Sequence, residues 1–370
     1  MRIGIDAREL TGHPTGVGRY LGALLREWAA DECARPHEFV LYAPDVPDVD
    51  VDPRRFLRRH VPGSAGTYWE QVSLPRAARG DRLDVLFAPA YTAPLRLDVP
   101  TVVTIHDLSY EAHPEWFRLR EGMRRRFLTR KAAARAAAII TDSAFSRGEV
   151  LERLGVPSDR VVVVRPGIDA PRARADGRGG PRLLYAGSIF NRRHLPELLR
   201  ALARLARTRP EVSLDIVGAN RTHPHEPIAA MIAQGGLEGR VRLWEYAHDA
   251  HLHELYGRAR AFVFLSEYEG FGMTPLEALA AGVPPVVGDT PVARETCGEA
   301  ALFVRWDDAR GVAAALETAL YDEAARARLL AAAPAALRQF DWRRAARETL
   351  DVLESVRRTA IRQPKDQTPG

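Results

Sequence analysis

Short runs of Val, Ile, Leu and Phe recur along the whole chain. Each ends in a polar or turn residue and is followed by a helix-like stretch. "IGID" precedes "VGRYLGALLREWAA". "EFVLYA", "DVLFAP", "TVVTIHD", "AAIITDS" and "RVVVVRPGID" follow in the first half. "RLLYAGS", "VSLDIVGAN", "VRLWEYA", "AFVFLS" and "PPVVGD" occupy the second. Runs that are apolar at every position are buried on both faces, which is the environment of a parallel sheet covered by helices. The plan restarts once, after "DAPRARADGRGGP", a stretch rich in Gly, Pro and charge that reads as a linker over 169–181. A chain of 370 residues exceeds one ordinary core. Two doubly wound α/β domains are therefore expected, at 1–168 and 182–340, with a helix over 341–361 and a disordered tail over 362–370.

Composition narrows the class. No apolar run approaches the ~20 residues of a membrane span. The N-terminus "MRIGIDARE" reads straight into a strand, with no leader pattern. Cys33 and Cys297 are far apart and lack metal-ligand spacing, which fits a reducing cytoplasm without a disulfide framework. The net charge of +5 and pI of 9.4 suit an anionic partner: nucleic acid, acidic lipid or a phosphorylated small molecule. "DVPDVDVD" holds an Asp-x-Asp pattern, but in a Pro/Val loop remote from the other motifs. It reads as an exposed acidic turn, and no bound metal is expected.

In open parallel sheets ligands bind at the carboxyl ends of strands, so the stretches leaving those ends carry the chemistry. After "AFVFLS" comes "EYEGFGMTPLEALAAG". Thr274, Pro275 and Glu277 fit a capping box, Ser/Thr-x-x-Glu, with Pro in the first turn. The same turn has a second reading. A helix N-terminus behind Gly270 and Gly272 presents free N–H groups, a dipole end and close backbone approach, which together bind an anion. Carboxylates would repel phosphate but suit the hydroxyls flanking it. Glu269 and Glu277, on either side of the turn, thus point to a nucleotide sugar. Arg192 and Arg193 follow the strand end "LLYAGS". They read either as an exposed basic loop or as cations for a departing diphosphate.

The stretch resembles the E-x7-E signature of the family 4 retaining glycosyltransferases. "PTGVGRYL", "TYWEQVSLPRAAR", "TVVTIHDLSYEAHPEWF", "TDSAFSRGEV", "VVVVRPGID" and "YAGSIFNRRHLPELLRAL" resemble further segments of that family in order. The resemblance implies the GT-B fold: two Rossmann-like domains facing across a cleft, with the final helix crossing back to the N-domain. It implies that Glu269 lies beside the donor sugar and Glu277 holds the ribose. Gly187, Gly270, Phe271, Gly272, Met273 and Thr274 would then contact the sugar and diphosphate. Arg192 and Arg193 would stabilise the leaving group, Arg193 standing where the family usually has Lys. His106 would sit near the transferred sugar, not as a base. Gly16 and Gly18 would form the loop that closes over the donor phosphates and acceptor. Tyr246 and Ala247 would neighbour the nucleobase, although Glu245 replaces a common Gly.

The expected reaction is metal-independent and cofactor-free, with the nucleotide sugar as a substrate. It moves a sugar, with retention, from GDP-mannose or a UDP-sugar to a glycan or polyprenyl-diphosphate-linked acceptor. A nucleotide-sugar epimerase is the alternative. A phosphorylase would need a cofactor lysine, and Lys131 and Lys365 lie outside every motif. Nucleic-acid binding has only charge in its favour. The basic stretches "RRFLRRH" and "FRLREGMRRRFLTRKAAARAAA" have two readings, a solvated helix face or an anionic membrane surface at the inner face of the plasma membrane. Trp69, Trp116 and Phe117 either anchor at such an interface or pack in the core.

Overall fold

The computed structural model describes residues 1–12, 16–171 and 180–362. Most of the proposed tail and most of the proposed linker lie outside the described residues. The chain divides into two compact units. Unit 1 comprises Met1–Glu111, Arg120–Gly167 and Phe340–Gly370; unit 2 comprises Ala112–Leu119 and Ile168–Gln339.

Unit 1 holds a parallel sheet of β1 (Arg2–Asp6), β2 (Glu38–Ala43), β3 (Phe56–His60), β4 (Val85–Ala88), β5 (Thr101–Thr104), β6 (Ala138–Thr141) and β7 (Val161–Val163), in the order β3-β2-β1-β4-β5-β6-β7. Strands β1, β2, β4, β5 and β6 are buried on both faces, as the unbroken apolar runs require. Trp28, from the Gly16–Ala30 helix, stacks on Phe39 at 5.2 Å, and Phe39 stacks on Phe56 at 4.7 Å. Such pairs contribute about 0.5–1.5 kcal/mol each beyond their buried area. The C-terminal helix Trp342–Arg362 returns to this unit. It packs on the Gly16–Ala30 helix and on β4 to β6, and Trp28 Nε1 donates to the Ala346 carbonyl at 2.8 Å. Gly167 lets it start there, because a Cβ at that position would meet Trp342 N at 2.3 Å.

Unit 2 holds β8 (Arg182–Ala186), β9 (Ser213–Val217), β10 (Val241–Trp244), β11 (Ala261–Phe264), β12 (Pro285–Gly288) and β13 (Leu302–Val304), parallel in the order β10-β9-β8-β11-β12-β13. The two Rossmann-like sheets and the returning helix are those of the GT-B fold.

Two strands were not foreseen. β13 has only three residues. β3 lies inside the basic stretch "RRFLRRH", which is thus an edge strand and not a helix face. Its arginines serve the sheet edge: Arg55 donates to the carbonyls of Trp28, Ala29 and Ala34, Arg58 to that of Val49, and Arg59 forks onto Asp81. Trp69 belongs to the core. It is 1% exposed and donates to the Val61 carbonyl at 2.7 Å.

Candidate active site

In unit 2 the strand order reverses between β8 and β11, and a ligand crevice is expected at their carboxyl ends. After β8 the chain turns at Gly187, with φ +136°. Gly218, leaving β9 at φ +149°, presses against it, and a Cβ there would lie 2.0 Å from the Gly187 carbonyl oxygen. Both positions need glycine. The short 3-10 turn Asn191–Arg193 follows, tied to the exit of β11 by Glu267 N–H donating to Arg192 O at 2.9 Å.

This tie brings the predicted cations and carboxylate together. Arg193 Nε donates to Glu269 Oε1 at 2.8 Å and its Nη1 to Ser188 O at 2.7 Å, with the guanidinium 4.7 Å from the Phe264 ring centre. Ser266 Oγ also donates to Glu269 Oε1, at 2.9 Å, so both bonds fall on one oxygen. Burial pushes the Glu269 carboxyl up, but Arg193, Arg192 and these hydrogen bonds outweigh it and hold the group below the usual carboxylate range. Glu269 is therefore ionised near neutrality and has no proton to give. Arg192 lies 4.4 Å from the Phe190 ring centre, and its buried Nε has no hydrogen-bond partner. Two guanidinium groups thus face one carboxylate, leaving one surplus positive charge.

The helix after the turn spans Met273–Ala280. The capping-box expectation is corrected here. The cap position is Gly272, in the left-handed region at φ +87°, and no side chain caps the helix. Thr274 is already inside the first turn, and its buried Oγ1 has no partner. Pro275 brings no N–H. Glu277 is 4% exposed and accepts from Tyr256 Oη at 3.3 Å. The first-turn amides have no side-chain cap, which suits an anion. Gly270 and Phe271 lie between Glu269 and the cap glycine; Phe271 is buried.

Tyr246 and Ala247 follow β10. Tyr246 is exposed and Ala247 half-buried. The segment Ala112–Leu119, which the sequence assigns to the first domain, belongs to unit 2. Its His113 stacks on Trp116 at 3.9 Å, and the two rings meet Tyr268, the residue before Glu269, edge-on at 5.4 and 6.3 Å. Sequence reasoning also missed Ser266, Phe264 and Gly218. Only the glycine after β9, in "DIVGAN", carried a signal.

In unit 1, Gly16 opens its helix and Gly18 is buried, while His13–Thr15 of the same loop lie outside the described residues. His106 leaves β5. Its Nδ1 lies 2.6 Å from Asp142 Oδ2 and its Nε2 2.8 Å from the Pro89 carbonyl. Both partners accept, so the ring donates from both nitrogens and is an imidazolium. Burial opposes the charge, but Asp142 overrides it and raises the pKa. Tyr20 and Tyr91 meet the ring edge-on at 5.1 and 5.4 Å. Asp45, Asp48, Asp50 and Asp52 are exposed, as an acidic turn should be. Among the described residues no group of three or more His, Cys, Asp or Glu is placed to hold a metal, and no helix is long and apolar enough to cross a membrane.

Comparison with known proteins agrees with this geometry. Residues 14–172 match the family described as Glycosyltransferase Family 4, and residues 171–335 match Glycosyl transferases group 1. O-antigen chain mannosyltransferase B of Escherichia coli is 29% identical over 288 residues, covering 73% of this chain and 74% of that protein. Glycogen synthase of Mycobacterium tuberculosis is 30% identical over 353 residues, covering 90% of this chain and 81% of that protein. The solved structure of Anabaena HepE in complex with UDP-glucose superposes with a TM-score of 0.75 at 17% identity, covering 96% of this chain and all (100%) of that one. Two matched halves, the double Rossmann-like architecture and a relative aligned over 90% of this chain lead to one conclusion: the chain belongs to the GT-B glycosyltransferases of family 4 and group 1, enzymes that use nucleotide sugars.

Proposed function

We propose that the protein is a retaining hexosyltransferase whose donor is a nucleoside diphosphate sugar, with GDP-mannose favoured and a UDP-sugar the other choice. The observation that carries this reading is the Arg193–Glu269 pair with Arg192 in surplus beside the uncapped Met273–Ala280 helix. The diphosphate meets Arg192, Arg193 and the first-turn amides. Glu269 orients sugar hydroxyls, and Glu277 binds the ribose. Tyr246 and Ala247 border the base. The mannosyltransferase relative supports mannose, and the HepE complex keeps a uridine donor open.

In the reaction the bond from the anomeric carbon to the β-phosphate oxygen breaks. The acceptor hydroxyl attacks from the same face, and its proton passes to the departing diphosphate. Glu269, being ionised, is not the acid. The guanidinium groups stabilise charge as it grows on the leaving group, so no metal step is invoked. Gly16, Gly18 and His106 serve the acceptor side, and the acceptor is a glycan or a polyprenyl-diphosphate-linked glycan. The reaction belongs in the cytoplasm, where such donors are made.

A thermal-shift panel of nucleotide sugars tests the donor. One compound should stabilise by about 2.7 kcal/mol at a hundred times its Kd. With that donor, NMR of the product should give the donor's anomeric configuration. An inverted product overturns retention. Isomerised donor without any acceptor would make the enzyme an epimerase instead.

A further inference from the structure

The helix Leu119–Arg135 is inside out. Its buried positions are Gly122, Thr129, Ala132 and Ala133, all small. Its large apolar residues face outward: Leu119 is 72% exposed, Met123 48% and Phe127 57%. Spaced at i, i+4 and i+8, they form one stripe along the helix. An amphipathic helix ordinarily turns such a stripe to the core. Arg120 and Arg124 stand one position on from Leu119 and Met123, and Lys131 and Arg135 continue the i+4 row beyond Phe127; none of the four forms an ion pair with the described residues. Arg125 and Arg130 are excluded from this set, since Glu121 and Glu111 neutralise them. Arg124 reaches Thr67 Oγ1 at 2.7 Å, which places the 70% exposed Tyr68 next to the helix.

We infer that this face docks on an anionic lipid bilayer, with Leu119, Met123, Phe127 and Tyr68 entering the headgroup boundary and the unpaired cations meeting acidic lipids. Charge selects the occupant. A partner protein would be met by an apolar patch with a balanced rim, whereas this rim is of one sign. Four cations without carboxylate partners fit a surface that carries only negative charge. The inference names which of the two basic stretches meets lipid, since the arginines of β3 are spent on backbone carbonyls and Asp81. It is independent of the donor reading, because no residue of the stripe belongs to the nucleotide site.

Flotation of the full chain with vesicles tests it, comparing phosphatidylcholine alone with a phosphatidylcholine/phosphatidylglycerol mixture. Binding should need the anionic lipid and weaken with salt. Met123→Ser with Phe127→Ser should weaken it on the order of tenfold, and Arg120→Gln or Arg135→Gln about fivefold each. Tm and transfer to a water-soluble acceptor should be unchanged in every variant. Equal binding to neutral vesicles, no binding at all, or an unaffected double serine variant would overturn the inference. So would a self-associated wild type that the double variant renders monomeric, since the stripe would then be covered by a second copy.

Discussion

The two units each bury a cation–carboxylate pair at a strand end, and the pairs differ in what they leave over. In unit 1, His106 spends both ring nitrogens, one on Asp142 and one on the Pro89 carbonyl. In unit 2, Glu269 takes Arg193 and Ser266 on a single oxygen, while Arg192 stands by with an unpartnered Nε. A closed pair fixes geometry; an open pair with surplus charge also receives a ligand. On the proposed reading the first pair positions and the second binds the anion.

The strongest break of this contrast is Glu269→Ala. Transfer should fall more than about 10³-fold, while circular dichroism stays native. Turnover at the wild-type rate would show that the carboxylate serves only the fold. Arg192→Gln comes next. It removes the surplus charge without touching the Arg193–Glu269 bond, and should cost about 10²-fold in kcat/KM. If it matches wild type, Arg192 is merely a surface cation.

Asp142→Asn probes the closed pair. The amide oxygen still accepts from Nδ1 but no longer holds the positive charge. The His106 pKa is raised in the fold, so the imidazolium and its stabilising contribution persist at low pH and are lost as pH rises through that raised value. The alkaline limb of the pH–rate profile should therefore move to lower pH in the variant. An unmoved limb would separate His106 from the reaction. The smallest effect is expected for Thr274→Val. An unpartnered buried hydroxyl is replaced without cost, so the free protein should keep or slightly raise its Tm, while donor affinity falls by about 1 kcal/mol. Unchanged affinity would remove Thr274 from the donor site.

Much of this was legible in the sequence, because the unbroken apolar runs leave parallel sheets as their only comfortable state. The strand ends then nominate Arg192, Arg193, Glu269 and His106 by position. The pairing within that set was not legible. Arg193 reaches Glu269 because Glu267 N–H is bonded to Arg192 O across adjacent strands, a contact between residues far apart in sequence. The capping box failed for a local reason. Ser/Thr-x-x-Glu does not say where the helix begins, and Gly272, free to adopt positive φ, starts it two residues before Thr274. His113 and Trp116 were missed as neighbours of Tyr268 because no periodicity reveals a segment that packs with the other half of the chain. The arginines around β3 concealed an edge strand, since charge at a sheet edge looks like a solvated helix when only composition is read.

A crystal structure of the protein with a bound nucleoside diphosphate sugar would be the most direct test. The diphosphate should lie against Arg192, Arg193 and the amides that open the Met273–Ala280 helix, with Glu269 on the sugar hydroxyls. A diphosphate bound elsewhere in unit 2, with the Arg193–Glu269 pair untouched and Arg192 turned to solvent, would contradict the account.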